Sequence, residues 1–349
     1  MESPRVSIVI VNYNGQDHLA ECLAALRADT VVSTEIFVVD NASTDNSCAI
    51  IEACLHDGGP FTFLRSPVNR GYAGGVNLAL AHSSGQYLAV LNSDVVIDPG
   101  WLAPATSFLD RTPEAGAVNP LIVLYADEAH INAAGQNIHV SGLGFNRWLM
   151  RPRSTAGVQP LPVSGLHGSA FVIRRELLEQ AGGWDEAGFL YHEDVELSWL
   201  LQLMGYDLYC LPLSSVRHKY HLTMYPEKLY LLERNRLAML AAYLQPHSWL
   251  MLAPWLAFTE MLMWGYCCLR GWPFLKAKAA AYLWPARHWR AVMARRQHLR
   301  ALRRRTDFQI LRRLAWNYAW DQFVTLGKER GPSRRQPKGG LPIKQNRAP

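Results

Sequence analysis

Two aspartates in the first hundred residues follow apolar runs that are typical of buried strands. Asp94 follows the run at residues 88–91, and Asp40 follows the run at 36–39. A strand in a sheet that helices cover on both faces has a continuous apolar sequence. Ligands of such sheets bind beyond the carboxyl ends of the strands. Both acids are therefore placed where a metal ion or a diphosphate can bind. The alternative for residues 92–94 is an ordinary strand exit without a ligand.

A glycine-rich segment lies between these two acids. Residues 69–75 have the sequence NRGYAGG and precede a predicted helix over residues 76–82. Backbone N–H groups at a helix start attract phosphate. The chain has no G-x-x-x-x-G-K-[ST] loop, and no G-x-G-x-x-G follows its first apolar run. The pattern favours a nucleotide diphosphate over ATP hydrolysis or NAD binding.

A second pair of acids, Glu193 and Asp194, opens a predicted helix that continues to residue 205. A carboxylate at a helix N-terminus is stabilised as the anion, and an ionised carboxylate is what a general base requires. The alternative is that both acids only stabilise the first helical turn.

The elements that must position these residues alternate along the chain. Apolar runs at 6–11, 36–39, 61–64 and 88–91 predict strands, and the segments between them predict helices. This alternation indicates a parallel sheet with right-handed crossovers. The first run is too short for a secretory signal, and the six cysteines show neither zinc spacing nor a disulfide framework. We therefore expect the catalytic part to lie in the reducing cytoplasm.

Five blocks occur in the order VSIVIVNYN, VVDNASTD, NRGYAGGVN, LNSD and GGWDEAGFLYHEDVELSWLL. This order resembles the family 2 glycosyltransferases of the GT-A fold, and within them the rhamnosyltransferase-like group. The resemblance covers roughly residues 5–240 and implies a mostly parallel sheet flanked by helices. It also implies inverting transfer of a single sugar, with rhamnose as a candidate, from a nucleotide diphosphate sugar to a glycan or polyprenyl-linked acceptor in cell-surface polysaccharide synthesis. The Q-x-x-R-W motif of the family's processive synthases does not occur in the sequence.

The resemblance implies a role for each candidate residue. Asp194 is expected to be the catalytic base, and Asp94 and His218 are expected to bind a divalent metal, Mg²⁺ or Mn²⁺, at the donor diphosphate. The nucleotide sugar is expected to contact Asn12, Asp40, Asn69, Arg70, Gly71, Asn92 and Asp94. The acceptor is expected to contact Asp185, His192 and Glu193. The alternative for His218 is a loop histidine without a ligand.

The chain departs from the family pattern in ways that keep rival functions open. Asn92 replaces the first acid of the D-x-D motif, so one carboxylate remains and the choice of metal stays open. This change favours a nucleotide-sugar-binding scaffold without turnover, whereas the presence of both Asp94 and Asp194 favours an enzyme. A nucleotidyltransferase is disfavoured because a basic glycine-rich signature is missing near the N-terminus. After the Glu-Asp pair the family carries an Asp and a Cys-x-Arg, where this chain has Glu196, Ser198 and Leu200. The acceptor preference is therefore the property that the resemblance predicts least well.

The last third of the chain has a different composition. Residues 249–269 are apolar except for Thr259 and Glu260, and residues 286–349 hold 17 Lys and Arg against 3 Asp and Glu. We predict a catalytic domain over residues 1–240, a hydrophobic and basic helical membrane-association region over 241–330, and a disordered basic tail over 331–349.

Tryptophan beside a basic helix is typical of a protein that binds a membrane surface. The stretch 249–269 is long enough to span a bilayer, but Pro254 interrupts it. Glu260 sits near its centre, where a carboxylate costs about 2.5–3.5 kcal/mol. We therefore favour an interfacial or re-entrant helix pair, peripheral or monotopic, on the anionic cytoplasmic face of the membrane. The alternative is a homodimer interface with a solvated basic helix, and nucleic acid is disfavoured because no binding module is evident.

Overall fold

The computed structural model describes residues 4–58, 60–221 and 223–323. The tail predicted at 331–349 lies outside these residues. The strands are β1 (Val6–Asn12), β2 (Thr34–Asn41), β3 (Phe61–Ser66), β4 (Tyr87–Asn92), β5 (Val95–Ile97), β6 (Ala115–Leu124), β7 (Asp127–Ala133), β8 (Gln136–Ile138), β9 (Gly144–Asn146), β10 (Leu161–Val163), β11 (Ala170–Arg174) and β12 (Asp207–His218). The helices are α1 (Gln16–Ala28), α2 (Ser47–His56), α3 (Gly71–Leu80), α4 (Leu102–Arg111), α5 (Arg175–Gln180), α6 (Glu193–Leu203), α7 (Pro226–Tyr243), α8 (Pro246–Arg270), α9 (Trp272–Arg287), α10 (Trp289–Leu302) and α11 (Asp307–Leu311).

One large sheet organises the described part of the chain, with the path β10-β12-β6-β11-β4-β1-β2-β3. Strands β3, β2, β1 and β4 are parallel, as the sequence predicts. Strand β11 is antiparallel to both β4 and β6, and β12 is parallel to β6. The predicted α/β fold with helices over a central sheet is therefore confirmed, but the sheet is all parallel only in its first half.

The register of the parallel strands brings their polar exits together. Every residue of β1 is buried, which explains its continuous apolar run. Asn12 at the end of β1 is the register partner of Asp40 in β2, and Val11 is the partner of Asn92 in β4. The carboxyl ends of β2, β1 and β4 therefore lie at one edge of the sheet.

The glycine-rich segment is helical earlier than the sequence predicts, because α3 begins at Gly71 and not at residue 76. Gly71 has φ +73°, and a Cβ there would lie 2.0 Å from the Phe189 carbonyl oxygen. The Tyr72 N–H donates a hydrogen bond of 2.7 Å to the same oxygen. The start of α3 is thus set by a turn more than one hundred residues later in the chain.

The C-terminal helices pack onto the sheet and share its core. Leu240 of α7, Leu299 of α10 and Ile310 of α11 belong to the same buried cluster as Val90 of β4 and Trp199 of α6. Among the described residues, no helix is both long enough and apolar enough to cross a bilayer. This finding includes α8, where the sequence left a span open at residues 249–269.

Candidate active site

The exits of β1 and β2 form a polar corner. Asn12 is fully buried, and its Nδ2 donates to Ser43 Oγ at 3.1 Å and to Asp40 Oδ1 at 3.4 Å. Asp40 Oδ2 accepts a bond of 3.1 Å from the backbone N–H of Ser43. Asn12 Oδ1 has no hydrogen-bond partner among the described residues. The corner therefore offers a buried amide acceptor at the strand ends.

The segment at residues 69–71 is held by one asparagine of β2. Asn41 Nδ2 donates to Asn69 Oδ1 and to the Gly71 carbonyl oxygen, at 3.0 and 2.9 Å, while Asn41 Oδ1 accepts from the Arg70 backbone N–H. The Arg70 side chain forms an ion pair of 3.1 Å with Glu186. These contacts fix the segment beside the exit of β2.

Asp94 and His218 meet although they are far apart in sequence. Asp94 lies between β4 and β5, and His218 is the last residue of β12, which pairs with β5. The distance from Asp94 Oδ1 to His218 Nε2 is 3.5 Å, and His218 Nδ1 lies 2.8 Å from Asn132 Oδ1. Burial raises the pKa of the Asp94 carboxyl, but the hydrogen bond and charge of His218, the charge of His18 and a backbone N–H together outweigh burial and hold this pKa below its usual value.

The donor set at Asp94 fits a divalent metal that is shared with a substrate. A metal ion beside Asp94 would require the form of His218 that donates from Nδ1 to Asn132 Oδ1, because Nε2 would then offer its lone pair to the ion. Asp94 Oδ1 is buried and accepts no hydrogen bond within the described ranges. The same ranges contain no cluster of three or more His, Cys, Asp or Glu side chains arranged to hold a metal ion. A metal at this pair therefore needs further ligands, such as diphosphate oxygens.

Asp194 is held rigidly at the start of α6. Its Oδ2 accepts bonds from Gln136 Nε2 at 2.8 Å and from the Gly168 N–H at 3.1 Å. Its Oδ1 accepts a bond of 2.8 Å from the Val195 N–H. Burial raises the pKa of Asp194, and the backbone N–H groups of Val195 and Gly168 oppose this rise. Three donors thus stabilise the carboxylate form.

Glu193, the neighbouring acid, has a different environment. It is buried, and its Oε2 finds no hydrogen-bond partner in the part of the chain that the structure describes. Burial and then the charge of Asp194 raise the pKa of Glu193 to about 8. Within this pair, burial therefore favours the neutral form of Glu193, whereas the three donors at Asp194 favour its carboxylate form.

A cleft of about 640 Å³ joins the two chemical centres. Its lining includes Asp94, His218, His192, Glu193 and Asp194, together with Asn92. The polar corner of β1 and β2 and the segment 69–71 lie outside this lining, at the neighbouring strand ends.

The turn before α6 borders this cleft and has an unusual backbone. Phe189, Tyr191 and His192 all have positive φ, between 62° and 72°. Such conformations cost about 1–3 kcal/mol each and persist where the surrounding structure enforces them, often at functional sites. Here the Phe189 carbonyl caps α3, and Asn235 Nδ2 donates to the carbonyl oxygens of Gly188, Leu190 and Tyr191.

A second cavity, of about 510 Å³, lies on the other side of this turn. It is lined by Asp185, Glu186, Glu193 and Glu196 and by side chains of α9 and α10, including Trp284 and Arg295. Arg295 lies 2.7 Å from Glu196 and 3.6 Å from Asp185. His192 and Glu193 line both cavities. The three residues predicted to contact the acceptor, Asp185, His192 and Glu193, therefore meet at this cavity.

Sequence reasoning missed the residues that orient the predicted ones. Gln136 of β8 and Gly168 bind Asp194, and Asn132 of β7 binds His218. The sequence predicts only loops and short strands around Gln136, so no periodicity points to it. These partners become visible only when distant segments are brought together.

The comparisons with known proteins agree with this geometry. Residues 7–182 match the family model described as glycosyl transferase family 2. An N-acetylglucosaminyl-diphospho-decaprenol L-rhamnosyltransferase of Mycobacterium tuberculosis is 30% identical over 239 residues, which cover 62% of this chain and 76% of that protein. A poly-beta-1,6-N-acetyl-D-glucosamine synthase of Staphylococcus epidermidis is 28% identical over 210 residues, or 58% of this chain and 47% of that protein. The chain belongs to glycosyl transferase family 2, whose chemistry is the transfer of a sugar.

A solved structure shows the same fold. The mannosyltransferase PcManGT from Pyrobaculum calidifontis, in complex with GDP-Man and Mn²⁺, superposes with a TM-score of 0.51 at 22% identity. The match covers 86% of this chain and 87% of that protein. The predicted GT-A architecture is therefore confirmed.

Proposed function

We propose that this enzyme is an inverting glycosyltransferase that moves one sugar from a nucleotide diphosphate donor to a hydroxyl of a lipid-linked glycan acceptor. The observation that carries the proposal is a carboxylate, Asp194, fixed by three donors in the same cleft as Asp94 and His218. The mycobacterial relative is named for rhamnose transfer to a diphospho-decaprenol acceptor, which supports rhamnose and a polyprenyl-linked acceptor for this chain.

In this proposal Asp194 is the general base. Its carboxylate takes the proton of the acceptor hydroxyl as the hydroxyl oxygen attacks the anomeric carbon, and the bond from that carbon to the diphosphate oxygen breaks. The raised pKa of Asp194 makes it a stronger base, and its hydrogen bonds keep it ionised and oriented. Positioned proton transfer of this kind contributes typically about 10²–10⁴-fold to the rate.

The donor is proposed to lie along the strand ends. The amide and carboxylate of Asn12 and Asp40 suit the base and ribose, with the segment 69–71 beside them. Asp94 and His218, with Asn92 nearby, face the diphosphate. A divalent metal bound at Asp94 and His218 would supply charge neutralisation for the leaving diphosphate.

The acceptor is proposed to enter from the second cavity. Asp185, Glu186 and Glu196 line it with carboxylate oxygens that suit the hydroxyl groups of a sugar. Glu193 lines both cavities, which supports a path toward Asp194. A lipid-linked acceptor places the reaction at the cytoplasmic face of a membrane.

Two variants test the two roles in one experiment. Asp194→Asn should keep metal-dependent binding of the donor nucleotide, measured by calorimetry, and lose sugar transfer by about 10²-fold or more. Asp94→Ala should instead weaken nucleotide binding, and the addition of EDTA should no longer change the affinity of this variant. Donor hydrolysis screened across UDP-, GDP- and dTDP-sugars identifies the donor for both assays.

Glu193→Gln is the matched control, because it changes the neighbouring carboxyl in the same helical turn. It should retain much more transfer than Asp194→Asn. Near-normal turnover of Asp194→Asn would exclude it as the base, and nucleotide binding that ignores EDTA in the wild type would exclude the metal role. A protein that binds a donor but transfers no sugar to any acceptor or to water would favour the scaffold alternative.

A further inference from the structure

Helix α8 presents an uninterrupted apolar face to the outside of the molecule. Within residues 249–269, all of which the structure describes, every exposed residue is apolar. Leu250 is 81% exposed, Met261 60% and Leu269 85%. The helical repeat places residues 250, 254, 257, 261, 265 and 268 along one stripe about 30 Å long. A contiguous apolar face of this length marks a site of interaction.

Glu260, the one acid in this stretch of α8, and Lys278 of α9 are both engaged in ion pairs. Glu260 of α8 binds Arg236 of α7 at 2.5 Å and Lys278 of α9 at 2.6 Å. Glu233 of α7 binds both Arg236, at 2.8 Å, and Lys278. The two acids and two bases of this ion cluster, which we define as Glu233, Arg236, Glu260 and Lys278, balance one another. The charge of Glu260 is thereby compensated, which lowers the penalty that it implies for a membrane position.

The exposed charged side chains on the two helices that follow α8 are all basic. Between residues 246 and 306 the only carboxylate is Glu260, which belongs to the ion cluster. The exposed charged side chains of α9 and α10 are Lys276, Arg287, Arg290 and Arg300. Exposed tryptophans accompany them, with Trp272 66% and Trp289 52% exposed. Tryptophan and arginine at this density suit the headgroup layer of a membrane.

We propose that α8 lies in the plane of an anionic membrane surface, with its apolar stripe immersed and the basic residues of α9 and α10 at the headgroups. Charge complementarity identifies the occupant. An anionic leaflet supplies the opposite charge for these four basic residues, whereas a second copy of the chain would bring like charges together. The attachment is monotopic, which means that α8 enters one leaflet only, because the ion cluster holds α8 against α7 and α9.

This position deepens the proposed function and depends on it only for the chemistry of the acceptor. The docked helices α9 and α10 also line the second cavity, through Trp284 and Arg295. A lipid-linked acceptor held in the same membrane would therefore reach this cavity without leaving the bilayer.

Vesicle flotation of the full-length protein tests the surface without any need for turnover. The protein should float with vesicles of phosphatidylcholine and phosphatidylglycerol, bind vesicles of phosphatidylcholine alone more weakly, and be released only in part by high salt. Electrostatic attraction weakens as salt shortens the Debye length, whereas apolar insertion does not. Full release by salt would overturn the immersion of the stripe.

Paired substitutions locate the surface. Met261→Glu with Leu269→Glu should reduce the partition coefficient by at least about tenfold for each side chain. Val158→Glu with Leu213→Glu adds the same charge at residues that are 59% and 68% exposed on the catalytic part, and should float like the wild type. Neutralising Lys276, Arg287 and Arg290 to Gln should lower binding about fivefold per residue on anionic vesicles only, the factor for about 1 kcal/mol.

Two results would overturn the proposal. The first is monomeric wild-type protein that fails to float at low salt. The second is a wild-type dimer, measured by analytical ultracentrifugation, that becomes monomeric in Met261→Glu with Leu269→Glu, since α8 would then be a subunit interface. Sugar transfer to a soluble acceptor in either case would leave the proposed function intact, and flotation without transfer would leave the docking surface intact.

Discussion

Glu193 and Asp194 are adjacent buried carboxyls to which the fold gives different hydrogen-bonding environments. Asp194 receives three hydrogen bonds, and Glu193 is buried with Oε2 unsatisfied by any described residue. Two like charges this close cannot both ionise easily, so the proton goes to the acid with fewer donors.

The free energy of unfolding should carry a signature of this arrangement. The pKa of Glu193 is about 8 in the folded protein, against an ordinary 4.5 for the unfolded chain. Between pH 4.5 and 8 the folded state holds a proton that the unfolded chain releases. Stability from this site therefore falls as the pH rises through that window. Glu193→Gln stays neutral, so its melting temperature should rise relative to the wild type from pH 5 to pH 9.

Glu52 is an exposed residue of α2, and Glu52→Gln is the control for that experiment. The melting temperature of this variant should follow that of the wild type at each pH. If the wild type and Glu193→Gln changed in parallel across the range, Glu193 would not be a protonated buried acid.

At the scale of elements, the site depends on how the turn before α6 meets the start of α3. The Phe189 carbonyl lies where a Cβ of Gly71 would be, and it accepts from the Tyr72 N–H. The Tyr72 hydroxyl in turn donates to the Gly168 carbonyl oxygen at 3.2 Å, next to the N–H that binds Asp194. One close backbone contact thus links the proposed nucleotide segment to the proposed base.

Gly71 and Gly58 allow the role of this contact to be separated from backbone strain. Both have nearly the same φ, +73° and +74°, but a Cβ at Gly58 meets no atom within 4 Å. Gly58→Ala should lower the free energy of unfolding by about 1–2 kcal/mol, which is the cost of the left-handed conformation alone. Denaturant unfolding measures this change. Gly71→Ala should cost about 1–3 kcal/mol more because the Phe189 turn must move. It should also lower kcat/KM for sugar transfer, which Gly58→Ala should leave unchanged.

Equal losses of stability in the two alanine variants, with full activity in both, would show that the contact between α3 and the turn does not position the site.

At the scale of the whole molecule, the ion cluster joins α7, α8 and α9 to one another and to the turn between β8 and β9. Arg236 is 1% exposed and Lys278 is fully buried, and the Arg236 guanidinium also donates to the Ser141 carbonyl oxygen at 3.1 Å. The charges of Arg236 and Lys278 outweigh burial and lower the pKa of Glu233 to about 2. Removing one partner leaves a buried charge without compensation, which is far more costly than losing an exposed ion pair.

Lys278→Met should therefore reduce the free energy of unfolding by about 3–5 kcal/mol. Lys276→Met, two residues earlier on the exposed side of α9, should change it by about 0.5 kcal/mol or less. Denaturant unfolding of both variants measures the difference. Similar small effects would mean that the ion cluster does not hold α9 against α7.

The sequence alone predicts those strands and helix starts that depend only on a few neighbouring residues. The apolar runs of β1, β2 and β4 are buried on both faces, so their composition alone predicts strands and places Asp40 and Asp94 near their ends. The start of α6 at Glu193 is likewise readable from a pair of acids before an apolar helix. The assigned roles of these residues stay predictions until the variants are measured.

Tertiary structure decided what depends on contacts between distant segments. No short stretch of sequence predicts that β11 is antiparallel or that α3 starts at Gly71. The same is true of the hydrogen bonds that Gln136 and Asn132 make to Asp194 and His218. Each of these features depends on residues that only folding brings together. Glu260 shows the same limit. Its charge in an apolar run argues against a helix that spans the membrane, and only the packing of α7 and α9 reveals that Arg236 and Lys278 pair with it.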